Sequence, residues 1–216
     1  MERKHPAYIV VEGPIGVGKT SLARRLANTF ESDLLLEGAA ENPFLERFYE
    51  DPRSGALPAQ LYFLFQRAQQ LQAMRQADMF QPVRVADFLM EKDRLFAELT
   101  LDVDELKLYE QVYGHLGMDA PVPDLVIYLQ APEDVLLKRI ARRGIAYERW
   151  IDAAYLRRLS EAYARLFLYY DAAPLLIVNA AYIDLVDNEN DYQSLVEQVR
   201  ATRSGRHFFN PPFGST

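Results

Sequence analysis

Residues 12–21 read EGPIGVGKTS, between the apolar run AYIVV (7–11) and the segment LARRLANTF (22–30). A short apolar run ending in a glycine-rich turn is the pattern of a buried strand, and the periodic segment after it is that of a helix. Glycine permits backbone conformations and close approaches that a Cβ forbids. The stretch fits G-x-x-x-x-G-K-[ST] at Gly13, Gly18, Lys19 and Thr20, in the strand-then-helix context that the motif requires. Its chemistry is that of an anion cradle. Gly13, Pro14, Ile15, Gly16, Val17, Gly18, Lys19, Thr20 and Ser21 wrap a phosphate chain with backbone N–H groups and the N-terminus of the next helix. Lys19 would bridge the outer phosphates, and the Thr20 hydroxyl would ligate Mg²⁺. The bland alternative is a chance glycine-rich turn. The motif reading is that the chain holds a nucleoside triphosphate, with ATP and Mg²⁺ as the expected cofactors.

Working outward, four more apolar runs read as buried strands: LLLEG (34–38), VRVADF (83–88), LVIYL (125–129) and LLIVN (175–179). Helical periodicity covers about 18–30, 58–78, 90–117, 133–142, 152–171 and 191–203. Strands alternating with helices predict an α/β fold, a three-layer sandwich with a five-stranded parallel sheet of the P-loop NTPase type. Right-handed crossovers line up the C-terminal ends of the strands along one edge. One domain over 1–205 is expected, with an arginine-rich lid at about 139–150 and a tail at 206–216 ending NPPFGST.

The totals narrow the function. A chain of 216 residues suffices for one α/β domain. A net charge of −7 disfavours a nucleic-acid or anionic-membrane partner but leaves room for one basic ligand site. The absence of cysteine excludes disulfides and a thiol nucleophile and fits the cytoplasm. The opening MERKHPAY does not read as a signal peptide, and the uncharged stretch Ala172–Ile183 is too short to span a bilayer.

Three carboxylates are placed to act on the phosphate. Glu37 closes the second strand, Asp87 closes the third, and Asp93 falls about a turn and a half into the next helix. A carboxylate at such a strand end faces the crevice where ligands bind. Glu37 is otherwise a solvated loop residue, and Asp87 is otherwise a magnesium residue that says nothing of the acceptor.

GPIGVGKTS, LLLEGAAENPFLERFYEDP, PAQLYFLFQR, EKDRLFA and RIARRGIAYER, in this order and spacing, resemble the deoxynucleoside kinase family from about Tyr8 to Phe167. The resemblance implies transfer of the ATP γ-phosphoryl group to the 5′-hydroxyl of a deoxynucleoside. It places Glu37 as the base toward that hydroxyl. Tyr49 and Glu148 fall at the sugar 3′-hydroxyl, and Gln60 at the base edge. Arg67 and Asp93 form the pair of the purine- and cytosine-using branch. Arg139 and Arg143 are the arginines that clamp the transferring phosphate. Phe96 either stacks on the base or belongs to the core. The same resemblance, with the many-faced apolar helices at 58–78 and 90–117, implies a homodimer.

Two positions depart from the pattern: Phe88 and Ile145 stand where arginines are usual, and Leu89 replaces a serine. Either Lys19, Arg139, Arg142 and Arg143 suffice, or Lys92 or Arg94 substitutes. The rival functions are a thymidylate kinase-like monophosphate kinase and a non-catalytic scaffold. The acids of LLLEGAAENP oppose the first, and the presence of Lys19, Thr20 and Glu37 opposes the second.

Overall fold

The computed structural model describes residues 6–77, 84–116, 120–183, 185 and 188–210, without the side chains of 75–77. Residues 211–216 of the expected tail, and the expected element ends at 78, 83 and 117, lie outside the described residues.

Six parallel strands form one sheet in the order β2-β3-β1-β4-β5-β6: β1 Tyr8–Glu12, β2 Asp33–Leu35, β3 Arg84–Ala86, β4 Leu125–Gln130, β5 Leu175–Asn179 and β6 Arg206–Phe209. The helices are α1 Lys19–Thr29, α2 Leu45–Glu50, α3 Pro52–Ala77, α4 Lys92–Thr100, α5 Val103–Leu116, α6 Glu133–Arg143, α7 Ala153–Tyr169 and α8 Glu189–Ala201. Successive strand side chains alternate between faces. Ile9 and Val11 accordingly pack with α1, α6 and α8 around Leu22, Leu136 and Leu195, while Val10 packs with α4 and α7 around Leu95, Leu159 and Phe167. The sheet therefore lies between two helical layers, each face closed by an apolar core.

The sequence reading of the strands and helices needs correction at several places. Among the described residues the sheet has six strands, not five, because Arg206–Phe209 pairs with β5 from Leu175↔Arg206 to Val178↔Phe209. Arg206 secures this edge by donating to the carbonyls of Phe167 (2.8 Å) and Leu168 (3.0 Å), which the end of α7 leaves without helical partners. The helix expected at 90–117 is two helices. Asp102 Oδ1 accepts from the N–H groups of Asp104 and Glu105, and Glu105 Oε2 accepts from the N–H of Asp102, a reciprocal cap that starts α5 afresh. α3 begins at Pro52, six residues before the periodicity does, despite Pro58 inside it. A proline there cannot donate to the Ser54 carbonyl four residues back, and Arg47 Nη2 takes that acceptor at 2.7 Å. Finally, β2 stops at Leu35, so Glu37 sits two residues beyond the strand.

Candidate active site

The carboxyl ends of β1, β2, β3 and β4 open into one cavity of about 900 Å³, roofed by α3 and by the end of α6 with its following turn. Of the cradle residues, Ile15, Gly16, Val17, Gly18, Lys19, Thr20 and Ser21 line it, whereas Gly13 and Pro14 stand behind it. Gly13 has φ +146°, and a Cβ there would lie 2.4 Å from the Leu129 carbonyl oxygen. The turn can enter α1 only because Gly18, its N-cap, takes φ +104°. Lys19 folds across its own loop, donating to Gly13 O (2.7 Å) and Pro14 O (3.4 Å). Burial pushes the Lys19 ammonium pKa down, and the Lys92 charge pushes the same way against Glu12, Glu37 and Asp87.

Asp87, the residue after β3, ties two segments together. One oxygen accepts from Thr20 Oγ1 at 2.5 Å and the other from the Glu37 N–H at 2.8 Å. Thr20 and Asp87 thus present hard oxygen donors side by side below the cradle, a set that suits Mg²⁺.

Glu37 is gripped by two cations, with Lys92 Nζ 2.8 Å from Oε2 and Arg67 Nη2 on Oε1. Burial raises its pKa, but Lys92 and then Arg67 outweigh that and hold the carboxyl down at about 2. A folded-state pKa below the ordinary 4.5 stabilises the fold fully above pH 4.5, and that contribution disappears as the pH falls toward about 2. Acid titrations of unfolding should therefore show wild type losing stability through this window and Glu37→Gln losing less. Parallel curves would deny Glu37 a role in acid stability.

Arg67 also pairs through Nη1 with Asp93 Oδ1, and its guanidinium lies between the rings of Phe63 (5.5 Å) and Phe88 (5.4 Å). Arg67 and Asp93 are each 2% exposed. Arg67 Nε and Asp93 Oδ2 have no hydrogen-bond partner among the described residues, although both side chains line the cavity. Asp93 is the second residue of α4, not a turn and a half into it, because the bonds Lys92 N–Leu89 O and Asp93 N–Met90 O delay the helix start. Gln60 lies in the third turn of α3 instead of opening the helix, yet it and Arg67 both reach the cavity.

Tyr49, Phe96, Arg139, Arg143 and Glu148 also line the cavity, as do Arg142 and Lys92, whereas Gly13, Pro14, Phe88, Leu89, Arg94 and Ile145 do not. Phe96 joins the wall and the core at once, edge-on to Tyr163 at 6.3 Å. Arg143 pairs with Glu148 across the turn after α6, the whole turned by Gly144 at φ +69°. Arg139 donates to Val17 O (3.3 Å) and Ala180 O (2.8 Å), joining the cradle to the segment after β5.

Three participants escaped the sequence reading. Glu12, fully buried at the end of β1, accepts from Gly13 N (2.8 Å), Leu89 N (2.9 Å) and Tyr163 Oη (2.9 Å). A charge directly after AYIVV was the available signal, the same one that flags Glu37. Tyr147 stacks on Tyr49, with centroids 6.0 Å apart and planes 5° from parallel. The segment Ala180–Ile183 contributes the far wall, and nothing in its composition marks it.

Comparison with known proteins agrees with this geometry. The family model for deoxynucleoside kinases matches residues 9–203. The chain is 34% identical over 201 residues to a deoxyguanosine kinase of Bacillus subtilis, covering 89% of this chain and 96% of that one. It is 30% identical over 209 residues to a deoxyadenosine kinase of Lactobacillus acidophilus, covering 88% and 94%. A deoxyadenosine kinase from M. mycoides, solved with dCMP and a flexible dCDP, has the same fold, with a TM-score of 0.77, 21% identity, and coverage of 90% of this chain and 99% of that one. A cradle, a gripped carboxylate and a buried Arg–Asp pair in one cavity, on a chain matched along nearly its whole length, give one conclusion: the chain belongs to the deoxynucleoside kinase family.

Proposed function

We propose that this kinase transfers the γ-phosphoryl group of ATP to the 5′-hydroxyl of deoxyadenosine, deoxyguanosine or deoxycytidine in preference to thymidine, in the cytoplasm. The observation that carries the reading is the placement of Glu37 between the cradle and the Arg67–Asp93 pair, in a single cavity lined by all of them. Glu37 accepts the hydroxyl proton late, as the oxygen bonds to phosphorus. A carboxylate of such low pKa orients the hydroxyl from the outset but takes its proton only once bond formation has acidified it. Lys19 and the arginines Arg139 and Arg143 balance the spreading phosphoryl charge. Thr20 and Asp87 would hold Mg²⁺, which when bound neutralises charge between the phosphates. Tyr49 and Glu148 take the sugar 3′-hydroxyl.

The Arg67–Asp93 pair faces the base. Its guanidinium and carboxylate, both on the cavity wall, suit a ring nitrogen and an exocyclic amine, while a thymine methyl group would meet a charged wall. Sites that hydrogen-bond their substrate this way select by up to about 10⁴, because a poor fit leaves buried groups unpaired. Assaying ATP with each of the four deoxynucleosides, and then with the monophosphates, tests the proposal. The expected result is the highest kcat/KM with a purine deoxynucleoside, and a ranking that collapses in an Arg67→Ala, Asp93→Ala double variant. Thymidine as best substrate would sink the specificity, and a best monophosphate substrate would sink the acceptor.

Self-association fits the surface of α3 and α5. The two helices bury Leu64 and Tyr109 against each other and leave Phe65 and Leu108 exposed, each at 47%. On these we place a homodimer contact.

A further inference from the structure

Five charged side chains at the acceptor end of the cavity stand in an alternating row: Glu12, Lys92, Glu37, Arg67 and Asp93. Lys92 is its least explained member. It opens α4, is 3% exposed, and sets its Nζ 2.8 Å from Glu37 and 3.5 Å from Glu12. A buried ammonium is costly unless paired, but Glu12 alone does not account for it. The Glu12 oxygens are already taken by two backbone N–H groups and the Tyr163 hydroxyl, and Glu12 is the more distant of the two carboxylates. Glu12 is thus the fixed end and Glu37 the end being held.

Two cations on two different oxygens fix the rotation of the Glu37 carboxylate as well as its place, Arg67 on Oε1 and Lys92 on Oε2. Phe88 adds no charge here, since its ring packs against the Arg67 guanidinium. Arg94, the other candidate substitute, is paired with Glu110 on the exposed side of α4.

We infer that Lys92 is a positioning residue for phosphoryl transfer: braced on Glu12, it holds the Glu37 carboxylate toward the acceptor hydroxyl. The inference rests on the reading of Glu37 given above. It requires that Lys92 act through Glu37, and so that its loss matter only where Glu37 is present.

The test is a double-mutant cycle of Lys92→Met and Glu37→Gln, with kcat and KM measured for a deoxynucleoside and ATP. Misplacing a reacting group by about 1 Å costs on the order of 10²-fold. Lys92→Met alone should lower kcat about 10–100-fold with the nucleoside KM within a few-fold, and Lys92→Arg should recover part of the loss. On the Glu37→Gln background the same change should cost less than about 3-fold, because the two residues act as a unit. An equal loss on both backgrounds, or wild-type turnover in Lys92→Met beside an impaired Glu37→Gln, overturns the inference and leaves the Glu37 reading intact. Wild-type turnover in Glu37→Gln overturns both.

Removing Lys92 also leaves Glu12 with one cation fewer, so thermal unfolding and nucleoside binding are measured for each variant to separate lost fold from lost transfer. The chain contains no cysteine, which permits a variant that keeps the charge. Lys92→Cys, alkylated with 2-bromoethylamine, regains an ammonium at this position alone. Turnover should rise on alkylation, and complete alkylation by mass without a rise counts against the inference.

Discussion

Lys19→Ala is expected to lower turnover by about 10³–10⁵, the scale on which a cation at the transferring phosphoryl group acts in such reactions, and to leave the protein folded. In the structure the ammonium spans the cradle through Gly13 O and Pro14 O. Burial and Lys92 both disfavour its charge, so a phosphate anion arriving there meets a cation with much to gain from pairing. That gain grows as charge spreads over the phosphoryl oxygens, which makes the lysine's effect fall on kcat more than on KM. Folding should survive because, among the described residues, the side chain donates only to its own loop, where Pro14 O also accepts from Val17 N at 3.2 Å. Turnover with thermal unfolding decides the matter. An active Lys19→Ala enzyme would mean that this loop does not perform the chemistry, and an unfolded one would mean that the loop is structural.

Glu37→Gln is expected to cut kcat by about 10²–10⁴ while nucleoside affinity changes only a few-fold. The amide keeps the shape and can still accept from Arg67 or Lys92, but it cannot take a proton from the 5′-hydroxyl. It also leaves both cations facing a neutral group. Removing one partner of a buried ion pair is destabilising, so a lower Tm should accompany the lost turnover. Single-turnover rates and calorimetric nucleoside binding on the same preparation check both parts. Near-wild-type kcat would remove Glu37 from the mechanism.

What the sequence discloses here follows the range of the interactions involved. The cradle is contiguous, and its glycines, Lys19 and Thr20 can be read from ten letters. The inner strands of a parallel sheet are apolar on both faces, so β1, β3, β4 and β5 stand out as runs, and the edge strand β2 shows through its leucines although Asp33 is exposed and Leu34 and Leu35 are half-buried. RHFF does not, because an edge strand flanked by RSG and NPP carries exposed side chains and is recognised only by its pairing with β5. The break between α4 and α5 was legible: DVDE at 102–105 is a cap signature, masked by apolar periodicity on both sides. Glu12 shows the opposite limit. Its partners Leu89 and Tyr163 lie 77 and 151 residues away, so a lone acid after a strand gave no hint of what satisfies it. Lys92 was visible only as a candidate substitute, because a choice between it and Arg94 needs the side of α4 that faces the cavity.

Arg139 bears on how any alanine survey of this enzyme is interpreted. Its guanidinium touches the Val17 carbonyl on one side and the Ala180 carbonyl on the other, so it acts as a rivet between two walls of the cleft. Cutting it frees both walls at once. A large drop in turnover on Arg139→Ala is therefore no proof that this arginine touches phosphate, since a slackened cleft gives the same drop even if every phosphate ligand is still in place. The distinction shows in the free protein: a rivet, unlike a phosphate ligand, leaves faster hydrogen exchange at both Val17 and Ala180 when it is removed, before any nucleotide is added.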